Sequence, residues 1–399
     1  MIKDSNSSEL YDYVRSADIK NFPSLKSILG SYDIKKIPAT DIPDILKKNI
    51  DNILLIDARS EKEFEETSLP CSKNFPVLNN KERHNTGLIY KNYSQTSALW
   101  LAMQYADPKS ESLKIFLEEN NAADKNIYVY CWRGGGRSGY LSKMISDLGF
   151  KPVVLTGGYK SYRKKVNDFF SLIPFPYDLI ELSGLTGSGK TELLKIVSDT
   201  LPVIDLEEAA RHYSSLLGQI PYDLKNAAPV RNQTAFENNL FANIYLTSVE
   251  VSDLTKPSDS STYLIESESR KVGNFEIPMP LFGKMMISPT IRIISSMECR
   301  VKRIVRDYFG EDLRGIKLME KKLTEKESFF KQQLSSSIYN ELLNLLDKER
   351  VSEFTEIMIK DYYDKRYKDK GKKPIAVIST DDIYSAKNEL TEIYKRFPA

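Results

Sequence analysis

Short apolar runs mark the strands of a predicted sheet in the first half of the chain. The run ILLIDAR begins at Ile53 and ends at Arg59, and the run NIYVY spans 126–130 and leads directly into Cys131. Continuous apolar runs of this length are typical of buried parallel strands, whose carboxyl ends reach loops at one edge of the sheet. Two strands of one parallel sheet are therefore predicted here.

A helix and a further strand are predicted after the second run. Apolar residues follow a helical spacing from Ser138 to Leu148, and Gly149 is a typical helix stop. The segment KPVVLTGGY then repeats the pattern of a strand that ends in glycines. This alternation indicates an α/β domain with a parallel sheet over about 40–172.

A second α/β domain is predicted beyond the proline-containing linker SLIPFPYD. The segment LIELSGLTGSGKTELLKIV contains a strand, a glycine loop and a helix in succession, so this domain is expected over 177–300. Residues 301–399 indicate a mostly helical region that completes it, with VISTDD as a last strand. Residues 1–36 are polar, carry no motif and are interpreted as an N-terminal extension.

Composition restricts the function only weakly. The 57 Lys and Arg residues against 55 Asp and Glu residues give a formal charge of +2, so any nucleic-acid surface must be local. The three cysteines are far apart and form no CxxC pair, which favours a reducing compartment over a disulfide scaffold or a zinc site. Without an apolar leader or spanning segment, we expect a cytoplasmic protein with no membrane contact.

The segment GLTGSGKT matches the phosphate-binding pattern G-x-x-x-x-G-K-[ST] between a predicted strand and a predicted helix. Glycines let backbone N–H groups close around phosphate oxygens, and the helix dipole adds favourable potential. Lys190 is expected to reach the outer phosphates and Thr191 to bind Mg²⁺. The loop indicates a phosphate or diphosphate ligand without saying which one. The predicted binding residues are Gly184, Gly187, Ser188, Gly189, Lys190 and Thr191.

Acidic residues at strand ends are candidates to hold a metal ion beside this loop. YLIESES contains Glu266 and Glu268, and PVIDLEE contains Asp205 and Glu207. Glu266, Glu268 and Asp205 are taken as the acidic partners, and Glu266 joins Thr191 as a Mg²⁺ candidate. The alternative is that they are solvated carboxylates.

Cys131 opens a loop of small residues, YCWRGGGRSG, between a strand and a helix. Successive N–H groups, the helix N-terminus and Arg137 all favour a thiolate, so a lowered pKa of Cys131 is expected. Two chemistries fit. The spacing of Cys131 and Arg137 resembles a cysteine-phosphatase loop, although Tyr130 stands where such enzymes commonly have His. The longer pattern, with LIDARSEKEF before the loop and LTGGY after it, favours a rhodanese-like domain, in which the thiolate carries sulfur or selenium.

Together the motifs resemble the bacterial tRNA 2-selenouridine synthase family over about 53–367. They are LIDARSEKEF, NNKERHNTGLIYK, YCWRGGGRSG, GGYKSYR, GLTGSGKTELL, DLEEAARH, QTAFENNL, IESESRKVGN and YYDKRY. The chain departs from the family after His212, where YSS replaces Arg-Gly-Ser.

The resemblance implies a transferase that acts on tRNA with 2-thiouridine at the wobble position. Geranyl diphosphate bound at the glycine loop would geranylate the sulfur, and selenium from selenophosphate would then replace the geranylated sulfur. Cys131 would carry the selenium as an S-selanylcysteine intermediate, with Arg133, Arg137, Arg83 and His84 around it, although the last two could be structural. No tightly bound cofactor is expected, and the selenophosphate-producing enzyme is a further expected partner.

Candidate RNA contacts lie in basic segments. Arg300, Arg303 and Arg306 fall near one face of a predicted helix, and Lys164 and Lys165 end the segment KSYRKK. Each segment could instead be an ordinary solvated face. Two rival functions remain open: a rhodanese-like cysteine phosphatase fused to a P-loop kinase, and a non-catalytic binding module.

Overall fold

A computed structural model describes residues 7–17, 19–246, 262–367 and 370–397 of the chain. The chain forms two compact units, Met1–Asp168 and Phe169–Ala399. Both units are built on parallel sheets, as the alternation of strands and helices predicts.

The first unit contains a five-stranded parallel sheet. Its strands are β1 (Lys35–Pro38), β2 (Ile53–Asp57), β3 (Lys73–Asn74), β4 (Asn126–Tyr130) and β5 (Val153–Thr156). Its helices are α1 (Ser7–Ser16), α2 (Leu25–Leu29), α3 (Ile42–Asn49), α4 (Glu61–Glu66), α5 (Asn80–Asn92), α6 (Gln95–Ala106), α7 (Ser110–Glu119), α8 (Gly136–Asp147) and α9 (Gly158–Phe170).

The strand order in this sheet is β1-β5-β4-β2-β3, and the strands predicted from ILLIDAR and NIYVY are confirmed as β2 and β4. These two strands pair in register from Ile53 opposite Asn126 to Asp57 opposite Tyr130. Their carboxyl ends therefore meet at one edge of the sheet. Cys131 is the first residue beyond that edge.

Helix α1, in the predicted N-terminal extension, packs against the first unit. Leu10 and Val14 of α1 are buried against Ile89 of α5 and Ala98 and Leu101 of α6. The amphipathic face of α1 thus covers apolar surface on two helices of the rhodanese-like unit.

The second unit contains another five-stranded parallel sheet and a small antiparallel hairpin. Its strands are β6 (Asp178–Ser183), β7 (Val203–Ile204), β8 (Thr262–Glu266), β9 (Lys271–Val272), β10 (Phe275–Glu276), β11 (Thr290–Ile294) and β12 (Ala376–Ser379). Its helices are α10 (Lys190–Val197), α11 (Leu206–Ala210), α12 (Ile220–Leu224), α13 (Gln233–Tyr245), α14 (Met279–Ile287), α15 (Met297–Phe309), α16 (Gly315–Glu325), α17 (Glu327–Leu334), α18 (Ser336–Asp347), α19 (Val351–Ile357), the π-helical segment Met358–Tyr363, α20 (Asp364–Arg366) and α21 (Ile383–Tyr394).

The order of the second sheet is β12-β11-β6-β8-β7, so β6 lies at its centre. The last strand predicted from VISTDD is confirmed, because β12 pairs in parallel with β11 from Ala376 to Ser379. Helices between these two strands pack around a separate apolar cluster that includes Phe309, Phe330 and Phe354. In the described part of the chain, no helix is both long and apolar enough to cross a membrane.

Candidate functional site

The Cys131 loop connects β4 to α8 and folds back against the end of β5. Gly134 has φ +67°, and a Cβ atom there would lie 2.2 Å from the carbonyl oxygen of Leu155. Only glycine allows both this left-handed conformation and this close approach. The backbone N–H of Tyr159 donates to the carbonyl oxygen of Cys131 at 2.9 Å, which ties the loop to the start of α9.

The Cys131 side chain is 4 % exposed and lies at the base of its loop. The backbone N–H of Gly135 donates to Sγ at 3.4 Å, and the Ser138 hydroxyl lies 3.3 Å from Sγ. Burial alone would raise the pKa of Cys131, but hydrogen bonds from Ser138 and the charge of Arg137 outweigh it, so the pKa is lowered. The loop therefore favours the thiolate form of Cys131 more than an ordinary thiol environment does.

A buried ion pair between Arg59 and Asp57 lies close to the Cys131 loop. The Arg59 guanidinium donates from Nε and Nη2 to the Asp57 carboxylate, at 2.7–3.0 Å, and both side chains are buried. Its Cζ atom lies 4.5 Å from the centre of the Tyr159 ring. Arg59 is therefore the buried salt-bridge partner of Asp57.

Glu63 brings together two of the predicted site arginines. Its Oε2 atom accepts from Arg137 Nη1 at 2.6 Å and lies 3.0 Å from Arg83 Nε. Glu63 lies in α4, and no pattern in the sequence marks it as a site residue. The motif LIDARSEKEF contained it, but nothing in the sequence pointed to its partner Arg137 on α8.

A cleft of about 830 Å³ opens above Cys131. Arg83 and Arg137 lie on its wall, as do His84 and Arg133, which are both exposed. The structure thus brings all five predicted residues of the selenium-transfer site to one cleft. What each of them does there stays a prediction.

Replacing Glu63 by glutamine should destabilise the first unit by about 1–2 kcal/mol at pH 7, because two charged hydrogen bonds lose their acceptor charge. Burial opposes the charge of Glu63, but Arg137 and Arg83 outweigh it and the pKa of Glu63 is lowered. This stabilisation is present above the unfolded-state pKa and is lost as pH falls through the lower folded-state pKa. Thermal unfolding at pH 7 and in acid should show that the stability difference between Glu63→Gln and the unmodified protein shrinks in acid. Glu119→Gln, the same change at an exposed position of α7 in the same unit, should cost little at either pH.

The glycine loop lies between β6 and α10, at the centre of the second sheet. Gly184, Gly187 and Gly189 all have positive φ, and a Cβ atom on Gly184 would lie 2.3 Å from the carbonyl oxygen of Ile293. The Ser188 hydroxyl is buried and finds no hydrogen-bond partner within the described ranges. These are the features of a backbone cradle for an anion.

Lys190 is held inside this cradle by its own loop. Its Nζ atom donates to the carbonyl oxygens of Gly184 at 2.8 Å and Leu185 at 3.2 Å. Burial lowers the pKa of Lys190, while the charges of Glu268 and Glu207 oppose that shift. An anion in the loop would offer the ammonium group better partners than two carbonyls.

The carboxylate cluster beside the loop differs in part from the prediction. The Thr191 hydroxyl donates to Glu207 Oε2 at 2.9 Å and to Glu266 Oε2 at 3.4 Å. Asp205 instead caps α11 by accepting from the N–H of Glu208 at 2.8 Å. PVIDLEE thus does supply an acidic partner to Thr191, but it is Glu207.

Burial and mutual repulsion raise the pKa of each carboxyl in this cluster. Burial is the largest cause of the raised pKa of Glu266, and the charges of Glu207 and Asp205 add to it. Burial and the charge of Glu207 raise the pKa of Glu268 to about 8. Among the described residues, no three His, Cys, Asp or Glu side chains are arranged to hold a metal ion by themselves. A hydroxyl and two carboxylates nevertheless fit Mg²⁺, which usually takes its other ligands from water and substrate phosphates.

The arginines of α15 do not form the exposed basic face that their spacing predicted. Arg300 is 4 % exposed and donates to both carboxylate oxygens of Asp364. Arg303 is largely buried and pairs with Glu192, which also accepts from the half-exposed Arg306. Carboxylates on neighbouring elements therefore pair with these guanidinium groups. RNA contact by Arg300, Arg303 and Arg306 stays a prediction.

The lysines of α9 are placed differently. Lys164 is exposed, whereas Lys165 donates to the carbonyl oxygen of Thr40 at 2.8 Å and to Asp44 at 3.1 Å. Of this pair, Lys164 remains the RNA-contact candidate.

Comparisons with known proteins agree with the two-unit architecture. The model of the tRNA 2-selenouridine synthase AAA domain matches residues 177–392, and that of the rhodanese-like domain matches residues 42–165. A solved N-terminal domain of a protein from Clostridium difficile 630 covers 34% of this chain and 98% of its own at 31% identity, with a TM-score of 0.29, which is too low for comparing folds.

Curated relatives match over most of the chain. The tRNA 2-selenouridine synthase of Pseudomonas syringae pv. tomato is 30% identical over 80% of this chain and 88% of its own length. Those of Nitrosomonas europaea and Bdellovibrio bacteriovorus are 32% and 33% identical, over 68% and 67% of this chain and 67% of their own lengths. The chain belongs to the tRNA 2-selenouridine synthase family.

Proposed function

We propose that this protein is a transferase that converts 2-thiouridine at the wobble position of tRNA into 2-selenouridine in two steps. The observation that carries the proposal is the buried Cys131 thiol, which accepts an N–H bond from its glycine loop and opens onto a cleft lined by cationic side chains. The names of the curated relatives supply the tRNA substrate. Geranyl diphosphate and selenophosphate are the proposed co-substrates.

In the first step, the sulfur of 2-thiouridine attacks C1 of geranyl diphosphate. The C1–O bond breaks, diphosphate leaves, and the base loses its N3 proton. The loop from Gly184 to Thr191 binds the diphosphate, and Lys190 neutralises the charge that develops on it. Mg²⁺, held by Thr191, Glu207 and Glu266 together with the diphosphate, would supply further neutralisation.

In the second step, selenium from selenophosphate replaces the geranylated sulfur. Overall, S-geranyl-2-thiouridine, selenophosphate and water give 2-selenouridine, geranyl thiol and phosphate, with no net oxidation. S-alkylation is needed because it turns the sulfur into a leaving group.

Cys131 is proposed to carry the selenium as a selanyl group, Cys–S–SeH. Selenium in that group is two electrons more oxidised than in selenophosphate. Loading therefore begins when the Cys131 thiolate attacks the disulfide form of a small thiol, which gives a mixed disulfide and releases one equivalent of the thiol. Selenide released by hydrolysis of selenophosphate then attacks the Cys131 sulfur and displaces the second equivalent of the thiol. The selanyl selenium then attacks the base carbon that bears the geranylated sulfur, and geranyl thiolate leaves. The base selenium is now bonded to the Cys131 sulfur. The small thiol cleaves this Se–S bond, which releases 2-selenouridine and restores the mixed disulfide.

The phosphatase alternative fits the geometry less well. A phosphatase arginine must bind the phosphoryl oxygens, whereas both donating nitrogens of Arg137 face the carboxylate of Glu63. The kinase half of that alternative has no observation that favours a nucleotide over a prenyl diphosphate.

The proposal is tested by incubating the full chain with 2-thiouridine tRNA, geranyl diphosphate, selenophosphate and a small thiol. Nucleosides are then analysed by mass spectrometry. We expect S-geranyl-2-thiouridine to form first and 2-selenouridine to replace it. If neither nucleoside forms while aryl phosphates are hydrolysed, the phosphatase alternative is correct.

A further inference from the structure

A second cavity, of about 440 Å³, adjoins the Cys131 cleft within the first unit. Its walls come from α5, α6 and α8, from the residues just before α5, and from residues 23–25 at the start of α2. They are largely apolar and include Leu25, Val77, Leu99, Ala102 and Met103. The cavity opens to solvent, and an open, largely apolar space of this size is typical of a pocket that binds a small ligand.

The cavity and the Cys131 cleft lie side by side and share part of their walls. Leu78, Thr86, Tyr90, Gly136 and Arg137 line both of them. Gly136 follows Gly135, whose N–H donates to the Cys131 sulfur. A molecule that reacts at Cys131 can therefore extend an apolar substituent into the cavity without leaving the unit.

We propose that this cavity binds the isoprenoid chain on the sulfur of S-geranyl-2-thiouridine during the selenium step, an inference that rests on the proposed function. The leaving sulfur must lie near Cys131, so its substituent has to lie next to the cleft. A cavity of about 150 Å³ lined by Leu, Ile and Phe already binds benzene, so this one has room for a branched hydrocarbon chain.

The polar groups at the junction favour a chain linked to a base over a chain linked to diphosphate. Arg137, the cationic side chain shared by cavity and cleft, is already paired with Glu63 at 2.6 Å. The Thr86 hydroxyl is buried at the same junction and, in the part of the chain the structure describes, has no hydrogen-bond partner. It is placed to bond a neutral polar group of the alkylated base.

The N-terminal segment gains a role from this assignment. Pro23, Ser24 and Leu25 form part of the cavity wall, and a Cβ atom on Gly136 would lie 3.3 Å from Leu25 Cδ2. Residues 23–25, in a segment that carries no recognisable motif, thus help to enclose the isoprenoid chain.

The test compares the binding of two anticodon stem-loop RNAs, one with S-geranyl-2-thiouridine and one with S-methyl-2-thiouridine, to the full chain. We expect the geranyl RNA to bind at least about ten-fold more tightly, since apolar surface leaves water only in that complex. Ala102→Phe fills the cavity and should remove the difference, leaving the dissociation constant of the methyl RNA unchanged. That unchanged constant also shows that the variant is folded.

Two further variants separate the polarity of the cavity wall from the effect of an added ring outside it. Leu99→Gln makes the wall polar without filling it and should weaken binding of the geranyl RNA alone. Gln104→Phe adds the same ring at an exposed position of α6 outside the cavity and should change neither RNA. Equal binding of the two RNAs by the unmodified chain, or an unchanged preference in Ala102→Phe, would overturn the assignment.

Turnover and competition separate this inference from the proposed function. If the geranyl RNA binds through Ala102 and Leu99 but is never converted by selenophosphate and thiol, the cavity assignment holds and the proposed function fails. If both RNAs are converted and bind alike, the function holds and the assignment fails. A last competition experiment uses Lys190→Ala protein with and without the additional change Ala102→Phe. If geranyl diphosphate displaces the geranyl RNA only when Ala102 is present, the cavity binds geranyl diphosphate and the assignment is wrong.

Discussion

Replacing Cys131 by serine should abolish formation of 2-selenouridine, by at least about 10³-fold, and leave geranylation of the sulfur intact. A serine hydroxyl is not ionised near neutral pH and cannot form the selanyl bond, so no later residue can compensate. The P-loop lies in the other unit, and its geometry does not depend on the thiol. The variant should therefore accumulate S-geranyl-2-thiouridine.

The measurement is the ratio of the two modified nucleosides after a fixed incubation. Cys299→Ser is a matched control, because it is the same replacement at a partly buried cysteine of the second unit. Continued formation of 2-selenouridine by Cys131→Ser would refute the carrier role. Loss of both products would show that the two steps share the Cys131 loop.

The pH dependence of thiol alkylation tests the electrostatic basis of this prediction. The pKa of Cys131 is lowered because hydrogen bonds from Ser138 and the charge of Arg137 outweigh burial. Alkylation of Cys131 by iodoacetamide should therefore show its midpoint at lower pH than an ordinary thiol. Ser138→Ala should move that midpoint upward, since it removes a bond to the thiolate and leaves the burial.

The sequence predicted the two loops well because each depends on local chemistry. An apolar strand, glycines and a helix are contiguous in both cases, so their meeting at a sheet edge follows from the parallel-strand pattern. The helix predicted from Ser138 begins two residues earlier, at Gly136, within the glycine run itself. The glycines thus belong partly to the loop and partly to the helix N-terminus.

Long-range partners could not be predicted in the same way. Glu63 and Arg137 are 74 positions apart, and only the packing of α4 against the Cys131 loop brings their side chains together. Likewise, the spacing of Arg300 and Arg303 predicts a shared helix face but not the carboxylates that meet it. Helical periodicity identifies faces, whereas burial depends on which element covers them.

Replacing Lys190 by alanine should lower geranylation by at least about 10²-fold and leave selenium transfer to pre-geranylated RNA unchanged. The departing diphosphate gains negative charge as its C–O bond breaks, and Lys190 is the ammonium group within its loop. Its Nζ atom lies 2.8 Å from the Gly184 carbonyl oxygen, so it is already positioned inside the cradle. Lys190→Arg should rescue little, because a planar guanidinium group does not fit the space of a compact ammonium group.

The decisive measurement supplies each step separately: 2-thiouridine RNA with geranyl diphosphate, and S-geranyl RNA with selenophosphate and thiol. Lys195→Ala, an exposed change on the same helix α10, should leave both rates near those of the unmodified protein. If Lys190→Ala stops the selenium step as well, the glycine loop acts on the selenium donor or on the RNA itself. If Lys190→Ala stops neither step, the prenyl diphosphate binds elsewhere. A glycine loop without its lysine lacks the positive charge that stabilises the departing diphosphate.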